Sequence, residues 1–521
     1  MKRKLMAFLG LALAVTLLLP GLTGCKKAAE APLSVTYVLY ADPMVDWDPA
    51  RSWAAEDVMM QNVYETLVRV GPDGKYIPLL ATSWQESEDH LKWTFQLREG
   101  VKFHSGKVLT AQMAADSLNR TLEMGKSACY IWDGVEEIKA VGELTLEFVL
   151  ERPLPLLNVV SAAYAAYIYD PSHTTEWYTA PNADGTGPYK FVSYVRDSEV
   201  ILQKFPDYWG GWPADKKTFE YAILKVVSEA ATRRQLLTNG EVDIVEQVPA
   251  DDLAALAADP NIKISNEPSY QQLYAFLNTQ KPPLNNKYIR QALSYLMPYE
   301  DIIRYVMLDT ATQARGVVPP TLWGHNPDAF QYTYDEAKAK ELLALGGKPN
   351  GGFKLLYTYT AGDKNEQRVG ELFKDALARV GIELEVRGMT VDSKYNLARD
   401  PDPLKRQDIT MLYWWPDNYD PQGYYYSQFH SEEEVGFNLG GYSSPTVDAL
   451  IEEAIDISGT SIEAAIAKYH EAETIIIEDA PAIFIYCENY VRPYRADLMG
   501  FVENPVYPNV VFFYDLYKGG D

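Results

Sequence analysis

Apolar residues spaced three and four apart indicate helices, and alternating apolar and polar residues indicate strands. A predicted helix over 335–345 precedes a predicted strand over 353–359. The next predicted helix carries its apolar residues at helical spacing: Val369, Leu372, Phe373, Ala376, Leu377 and Val380. It ends at Gly381, and alternation over 382–386 predicts another strand. This βαβ unit predicts a mixed α/β protein with at least one parallel pair of strands.

Similar patterns indicate further elements before this unit. The predicted strands are 33–40, 91–103, 143–150, 242–245 and 273–277. The predicted helices are 54–67, 110–120, 232–239 and 287–297. Thr110 is a suitable N-cap residue, whereas Gly240 and Pro298 are suitable stops.

The first 24 residues are typical of an export signal. Lys2, Arg3 and Lys4 precede an apolar run over 5–19, which is short for a membrane span. The run leads to Leu22-Thr23-Gly24-Cys25, a lipobox pattern. We therefore expect 1–24 to be a lipoprotein signal peptide, Cys25 to be the lipidation site and 25–32 to be a tether. The protein would then be extracytoplasmic and anchored to the cell membrane. The alternative is an ordinary secretory signal with a chance cysteine.

Composition narrows the choice of partners. The chain has 47 Lys and Arg against 72 Asp and Glu, a net charge of −25. This balance argues against a nucleic acid partner and favours solubility or, weakly, a cationic or zwitterionic ligand. The 6 histidines and 3 cysteines lack the spacing of metal ligands, so we expect no metal and no cofactor. Cys129 and Cys487 could pair, but free thiols fit their wide separation better.

The segment 414–421 is the leading candidate for ligand contact. It combines two tryptophans, a tyrosine and two carboxylates, too many such residues for all of them to be core. Pro416 and Pro421 argue against a helix or a central strand. Trp414, Trp415 and Tyr419 offer apolar or stacking faces, or else fill the core. Asp420, which precedes a proline, is typical of a turn.

Short runs across almost the whole chain match one family: Trp47–Pro49, Tyr64–Leu67, Pro78–Trp84, Trp93–His104, Leu109–Ala111, Gly185–Tyr189, Gly240–Ile244, Leu277–Thr279, Ile289–Tyr295 and Pro416–Pro421. In order and spacing the chain resembles the family-5 solute-binding proteins of ABC importers, the oligopeptide-, dipeptide- and nickel-binding group. Ser105 and the pair Gln112-Met113 depart from the family pattern, at positions that we interpret as structural.

The resemblance implies a two-lobe periplasmic-binding-protein-like fold (type II) with three domains and a hinged ligand cleft. Domain I would comprise 33–67, 185–270 and 488–521. Domain II would be 68–184, and domain III, the second lobe, would be 271–487. Hinge crossings near 270 and 487 would let the lobes close over a ligand.

The resemblance also implies roles for individual residues. In peptide-binding relatives, an aspartate that matches Asp417 pairs with the α-ammonium group of the ligand, although Asp417 could instead cap a turn. Positions that match ligand-facing loops of the family are Tyr40, Glu246, Gln247 and Tyr486.

The leading hypothesis is therefore a non-catalytic, monomeric receptor that captures a peptide and delivers it to ABC permease subunits. An oligosaccharide ligand fits the abundance of tryptophan and tyrosine, whereas nickel and haem fit less well because no ligand cluster is visible. A secreted glycoside hydrolase, with Asp417 and Asp420 as its carboxylates, is a remote alternative from another class. A surface receptor that feeds signalling is a third.

Overall fold

The computed structural model describes residues 32–53 and 57–519. Within these residues the fold consists of one large mixed sheet, three smaller sheets and helices. The strands are β1 (Ser34–Leu39), β2 (Val68–Val70), β3 (Tyr76–Pro78), β4 (Ala81–Glu86), β5 (Lys92–Leu97), β6 (Val135–Ala140), β7 (Thr145–Leu150), β8 (Tyr189–Val195), β9 (Glu199–Lys204), β10 (Lys217–Thr218), β11 (Tyr221–Val226), β12 (Ile244–Val245), β13 (Ile262–Leu277), β14 (Ala311–Gln313), β15 (Phe353–Thr360), β16 (Ile382–Met389), β17 (Ile409–Trp414), β18 (Ala482–Arg495), β19 (Leu498–Met499) and β20 (Tyr517–Lys518).

Fourteen α-helices accompany these sheets in the described residues. They are α1 (Asp57–Val63), α2 (Ala111–Met124), α3 (Leu156–Val160), α4 (Thr175–Thr179), α5 (Ala230–Thr238), α6 (Ala250–Ala257), α7 (Lys287–Leu296), α8 (Tyr299–Asp301), α9 (Glu336–Leu345), α10 (Lys364–Ala378), α11 (Val391–Ala398), α12 (Gln422–Phe429), α13 (Pro445–Ser458) and α14 (Ile462–Asp479). Among the described residues, none of the helices combines the length and the apolar character that a membrane span requires.

The predicted βαβ unit is confirmed. β15 and β16 are parallel neighbours, and α10 connects them. The Asp363 side chain caps α10 by accepting the Glu366 backbone N–H at 2.8 Å. At the other end, Gly381 has φ +78°, and a Cβ there would lie 2.4 Å from the Asn350 carbonyl oxygen. Glycine is therefore required at this helix end by both conformation and space.

The large sheet has the strand order β16-β15-β17-β13-β18-β12-β1-β11-β9-β8. The long strands β13 and β18 lie at its middle and pair with each other in antiparallel fashion. β13 also pairs with β17 over Gln272–Leu277, and β18 pairs with β12 at Tyr494. The β13–β18 register shifts between Pro268 and Gln272, opposite Asn489 and Cys487. The two ends of the sheet are thus joined through an irregular stretch of paired strands.

A separate four-stranded sheet, β4-β5-β7-β6, packs against α2. The alternating residues Trp93, Phe95 and Leu97 all point into the core, as their pattern predicts. The N-cap prediction at Thr110 is also confirmed, because its hydroxyl accepts the Met113 backbone N–H at 3.3 Å.

Several elements differ in length from their predictions. β13 begins at Ile262 rather than near 273, because pairing with β18 keeps its polar first half extended. The helix predicted over 54–67 is shorter in the structure, because α1 ends at Val63 and residues 64–67 are not helical. Residues 54–56 lie outside the described residues. Residues 1–24, Cys25 and most of the tether also lie outside them. Cys129 and Cys487 are free thiols.

Candidate ligand-binding site

A cavity of about 750 Å³ lies among β18, the start of α10, the end of β17 and the loops after β1 and β12. Its size is within the usual range for small-molecule sites. Its carboxylates are Asp57, Glu246, Asp251, Asp363 and Glu488. Its cations are Lys364, Arg368 and Arg492. Its aromatic residues are Tyr40, Tyr164, Tyr413, Trp415 and Tyr490. The wall therefore offers charges of both signs together with aromatic faces.

The cavity brings together half of the predicted ligand-contacting residues. These are Tyr40, Glu246, Gln247 and Trp415. Tyr40 is 46% exposed and Trp415 is 38% exposed. Both rings are therefore available to a ligand.

Glu246 is buried and holds the backbone around the cavity. Its Oε1 accepts the Tyr40 backbone N–H at 2.8 Å, and its Oε2 accepts the Tyr37 hydroxyl at 3.2 Å. Burial raises the pKa of Glu246. Gln247 has φ +48°, and its carbonyl accepts Nη2 of Arg233 at 2.7 Å. These contacts position Tyr40 and the loop at Gln247.

Asp417 does not line the cavity but is joined to a residue that does. Its Oδ1 accepts the Tyr164 hydroxyl at 2.7 Å, and its Oδ2 accepts the Tyr130 hydroxyl. Burial raises the pKa of Asp417, and these two hydrogen bonds oppose that shift. Both bonds connect Asp417 to residues more than 250 positions earlier in the chain. Asp417 therefore makes long-range hydrogen bonds with two tyrosines, whereas the alternative interpretation expected only a turn cap.

Three predicted residues, Trp414, Tyr419 and Tyr486, do not line the cavity. The Trp414 ring meets Phe437 edge to face at 4.9 Å between centroids. The Tyr419 ring stacks on Tyr270 at 6.1 Å. Tyr486 is buried, and its hydroxyl lies 2.5 Å from that of the cavity residue Tyr413. In this structure their contacts are with protein side chains.

Asp420 forms the predicted turn, since its Oδ1 accepts the Gln422 backbone N–H at 2.8 Å. Its Oδ2 also accepts Nδ2 of Asn158 at 2.9 Å. Burial raises the pKa of Asp420 to about 6. Asn158 and Tyr164 thus both hold the 417–420 loop from the same distant part of the chain.

Several cavity residues were missed at the level of sequence. Asp363, Lys364 and Arg368 begin α10, directly after a parallel strand, where ligands of α/β proteins often bind. That placement was a usable signal. Glu488 and Arg492 lie on β18, where only the tertiary pairing reveals their position.

The described residues contain one group with metal-ligand spacing, Asp170, His173 and Asp184. Lys107 Nζ lies 2.6 Å from Asp170, and Asp184 accepts the Ser105 backbone N–H at 2.9 Å. His173 completes the group at 2.9 Å from Asp184. A lysine and a backbone donor already satisfy these carboxylates, so the group is explained as structural.

The comparisons with known proteins match this architecture. The family model for bacterial extracellular solute-binding proteins, family 5, matches residues 75–435, well over half of the chain. The chain belongs to this family. Among curated family-5 proteins, it is 29% identical to the probable D,D-dipeptide-binding periplasmic protein DdpA of Escherichia coli over 83% of both chains. It is 28% identical to heme-binding protein A of Haemophilus influenzae, covering 88% of this chain and 86% of the relative.

Solved family-5 structures share the fold. The substrate-binding protein CtaP of Listeria monocytogenes has a TM-score of 0.83 at 23% identity and covers 94% of this chain and 99% of its own. DppA of Helicobacter pylori, solved with the peptide STSA, has a TM-score of 0.76 at 24% identity and covers 94% and 99%. The type II periplasmic-binding-protein fold implied by the sequence resemblance is therefore confirmed.

Proposed function

We propose that this family-5 solute-binding protein captures a short peptide in the cavity and delivers it to the permease of an ABC importer. The observation that carries the proposal is the mixed charge of the cavity wall, which suits a zwitterion. Lys364 and Arg368 form no ion pair within the described residues, and Glu488 lies on the same wall. Relatives named for dipeptides support the same ligand class. The protein binds its ligand without transforming it.

Asp417 is the anchor that we propose for the α-ammonium group of a ligand that extends from the cavity. It is partly exposed and is bonded to the cavity residue Tyr164. An ionised carboxylate offers about four lone-pair sites, of which Tyr130 and Tyr164 use two. The remaining sites can accept charge-assisted hydrogen bonds from an ammonium group. The two tyrosines would hold the carboxylate in place for that contact.

The Asp417→Asn variant tests this anchor. We expect its affinity for free tripeptides to fall by about 30-fold or more, as for loss of one partner of a buried charge pair. Isothermal titration calorimetry with free and N-acetylated tripeptides measures the effect. Asp328→Asn, an exposed site away from the cavity, is the matched control. Equal binding of free and acetylated peptides by the wild-type protein would contradict the assignment.

Native mass spectrometry of the purified protein tests the ligand class directly. Short peptides of unchanged sequence, released on denaturation, are the expected result. A released oligosaccharide would assign the protein to sugar uptake, with Trp415 and Tyr40 as stacking faces. Cleavage of an added peptide or oligosaccharide would show that the protein is an enzyme.

Closure of two lobes is the motion that we propose for capture, with domain I as 33–67, 185–270 and 488–521, domain II as 68–184 and domain III as 271–487. The register shift between Pro268 and Gln272 supports hinge crossings there. The bonds from Tyr164 to Asp417 and from Asn158 to Asp420 join domain II to domain III. Small-angle scattering should show a smaller radius of gyration after a binding peptide is added.

We also propose a lipid anchor at Cys25, which would hold the receptor at the outer face of the cell membrane. The lipobox pattern after an apolar run supports it. Metabolic labelling with a palmitate analogue should mark the full-length protein and not Cys25→Ser. Labelling of both would contradict the proposal.

A further inference from the structure

Glu488 presents a carboxylate to the cavity from a fixed piece of backbone. It lies on β18 opposite Ala311 of β14, and the next residue's backbone N–H donates to the Thr310 carbonyl at 3.0 Å. The Ser269 hydroxyl donates to the carbonyl of Glu488 itself. The Glu488 carboxylate, in contrast, receives no hydrogen bond and no ion pair from the described residues.

Asp363 is a second carboxylate on the same wall. Its Oδ1 caps α10, whereas its Oδ2 accepts no hydrogen bond from the described residues. Burial, together with the negative charge of Asp363, raises the pKa of Glu488 to about 7. Both carboxylates line the same cavity, so a cation bound beside them would be attracted by both.

Of the nearby cations, Lys394 and Arg492 are engaged elsewhere. Lys364 and Arg368 also line the cavity, but the charge that acts on Glu488 is that of Asp363. Lys394 acts on Asp363 at longer range, but its ammonium donates to the Thr360 hydroxyl at 2.8 Å and to the Met411 carbonyl at 2.7 Å. Arg492 pairs with the buried Glu503. Neither Lys394 nor Arg492 forms an ion pair with Asp363 or Glu488 within the described residues.

Aromatic rings complete this part of the wall. Tyr413 and Tyr490 both line the cavity. The pKa of Tyr413 is raised mainly by burial and, to a smaller extent, by the neighbouring Tyr486 and Glu488. The hydroxyl of Tyr413 is held by that of Tyr486 at 2.5 Å. Rings beside a carboxylate pair add a favourable surface for a cation, because aromatic faces carry partial negative charge.

We infer that Glu488, Asp363, Tyr413 and Tyr490 form a subsite for a positively charged side chain of the ligand, so that the preferred peptides contain lysine or arginine. The inference rests on the proposed peptide-binding function and specifies its ligand class. The subsite is separate from Asp417, which does not line the cavity. A ligand that extends from the cavity past Tyr164 to Asp417 would place its ammonium terminus and its cationic side chain on different carboxylates.

Calorimetry with paired peptides tests this subsite. Each tripeptide contains lysine at one position, and its partner contains norleucine, which keeps the chain and removes the charge. The wild-type protein should bind the best lysine peptide at least about tenfold more tightly than its norleucine partner. In Glu488→Gln, affinity for the lysine peptide should fall by about 30-fold, while affinity for norleucine stays within about twofold.

Asp363→Asn is the second variant, because asparagine keeps the helix cap and removes the charge. It should reduce the lysine preference in the same direction. Glu371→Gln makes an equal charge change on the exposed face of α10 and should leave the preference unaltered. Equal wild-type affinities for the lysine and norleucine peptides would overturn the inference. So would an equal loss of both in Glu488→Gln.

A diamine separates failure of the subsite from failure of the proposed function. Cadaverine carries the lysine ammonium group and chain without a peptide backbone. If no peptide binds but cadaverine raises the melting temperature of the wild-type protein and not of Glu488→Gln, the cation subsite stands and the peptide function falls. If neither peptides nor cadaverine bind, both are overturned. If only uncharged peptides bind, the peptide function stands alone.

Discussion

Arg492 is a cation in the interior, with 2% of its side chain exposed. It pairs with Glu503, donates to the Asn509 side chain at 2.9 Å and donates to the Tyr37 hydroxyl at 3.2 Å. Because Tyr37 also donates to Glu246, this network connects β18 to the loop behind Tyr40. One residue thus stabilises the core and fixes part of the cavity wall.

Removing the partner of Arg492 should be costly. We expect Glu503→Ala to lower the free energy of unfolding by about 3–5 kcal/mol, because it leaves a buried charge without compensation. Urea denaturation followed by circular dichroism measures the change. The double variant Arg492→Met with Glu503→Leu should recover most of the loss. A Glu503→Ala loss below about 1 kcal/mol would show that water reaches this pair.

The site was predictable from the sequence only where the residues follow recognisable motifs. Tyr40, Glu246, Gln247 and Trp415 come directly after short strands and do line the cavity. Glu488 has no such local sign, because its place depends on pairing with strands that lie more than 170 residues away.

Helix α10 shows how far local pattern determines an element. Its apolar stripe, its N-cap residue and its terminal glycine all agree with a single helix between two parallel strands. Its core face and both its neighbours could be predicted because the information lies within about 35 residues of sequence. By contrast, β18 is a long strand because it pairs with β13 along most of its length. The sequence of either strand alone does not specify that pairing.

Two glycines near α10 distinguish the cost of a left-handed backbone conformation from the cost of crowding by a Cβ atom. Gly352 has φ +74° with open space around a Cβ, whereas at Gly381 a Cβ would meet the Asn350 carbonyl. We expect Gly352→Ala to cost about 1–2 kcal/mol of unfolding free energy from conformation alone. Gly381→Ala should cost about 1–3 kcal/mol more, from overpacking. Chemical denaturation of both variants measures the difference, and equal losses would contradict the role of crowding.

Across the whole molecule, several buried carboxyl groups have a pKa above the ordinary value. Burial raises the pKa of Glu65 and of Glu473 to about 7, although both accept hydrogen bonds. Between the ordinary value of 4.5 and about 7, the folded state therefore binds more protons than the unfolded state. The free energy of unfolding must fall as pH rises through this range and level off above it.

The melting temperature should accordingly decrease from pH 5 to pH 7.5. Glu473→Gln imitates the protonated carboxyl and should make this decrease smaller, while an exposed change such as Glu371→Gln should not. Differential scanning calorimetry at a series of pH values provides the test. A wild-type melting temperature that rises over this interval would contradict the prediction.

The sequence was most informative about the family and the fold of the whole molecule. Short motifs spread over the chain indicated the family, and the family model and the shared fold confirm it. A series of short motifs in one order is specific for a family even when each motif alone is common. The ligand remained open, because relatives with one fold are named for different ligands, including dipeptides and haem.

The contacts of the 417–420 loop have a consequence for the rate at which a ligand leaves. Tyr130, Tyr164 and Asn158 bind this loop through hydrogen bonds to Asp417 and Asp420. The two parts of the chain that these bonds join can separate only when the bonds break. The rate of ligand release should therefore depend on the protein's own contacts as well as on those of the ligand.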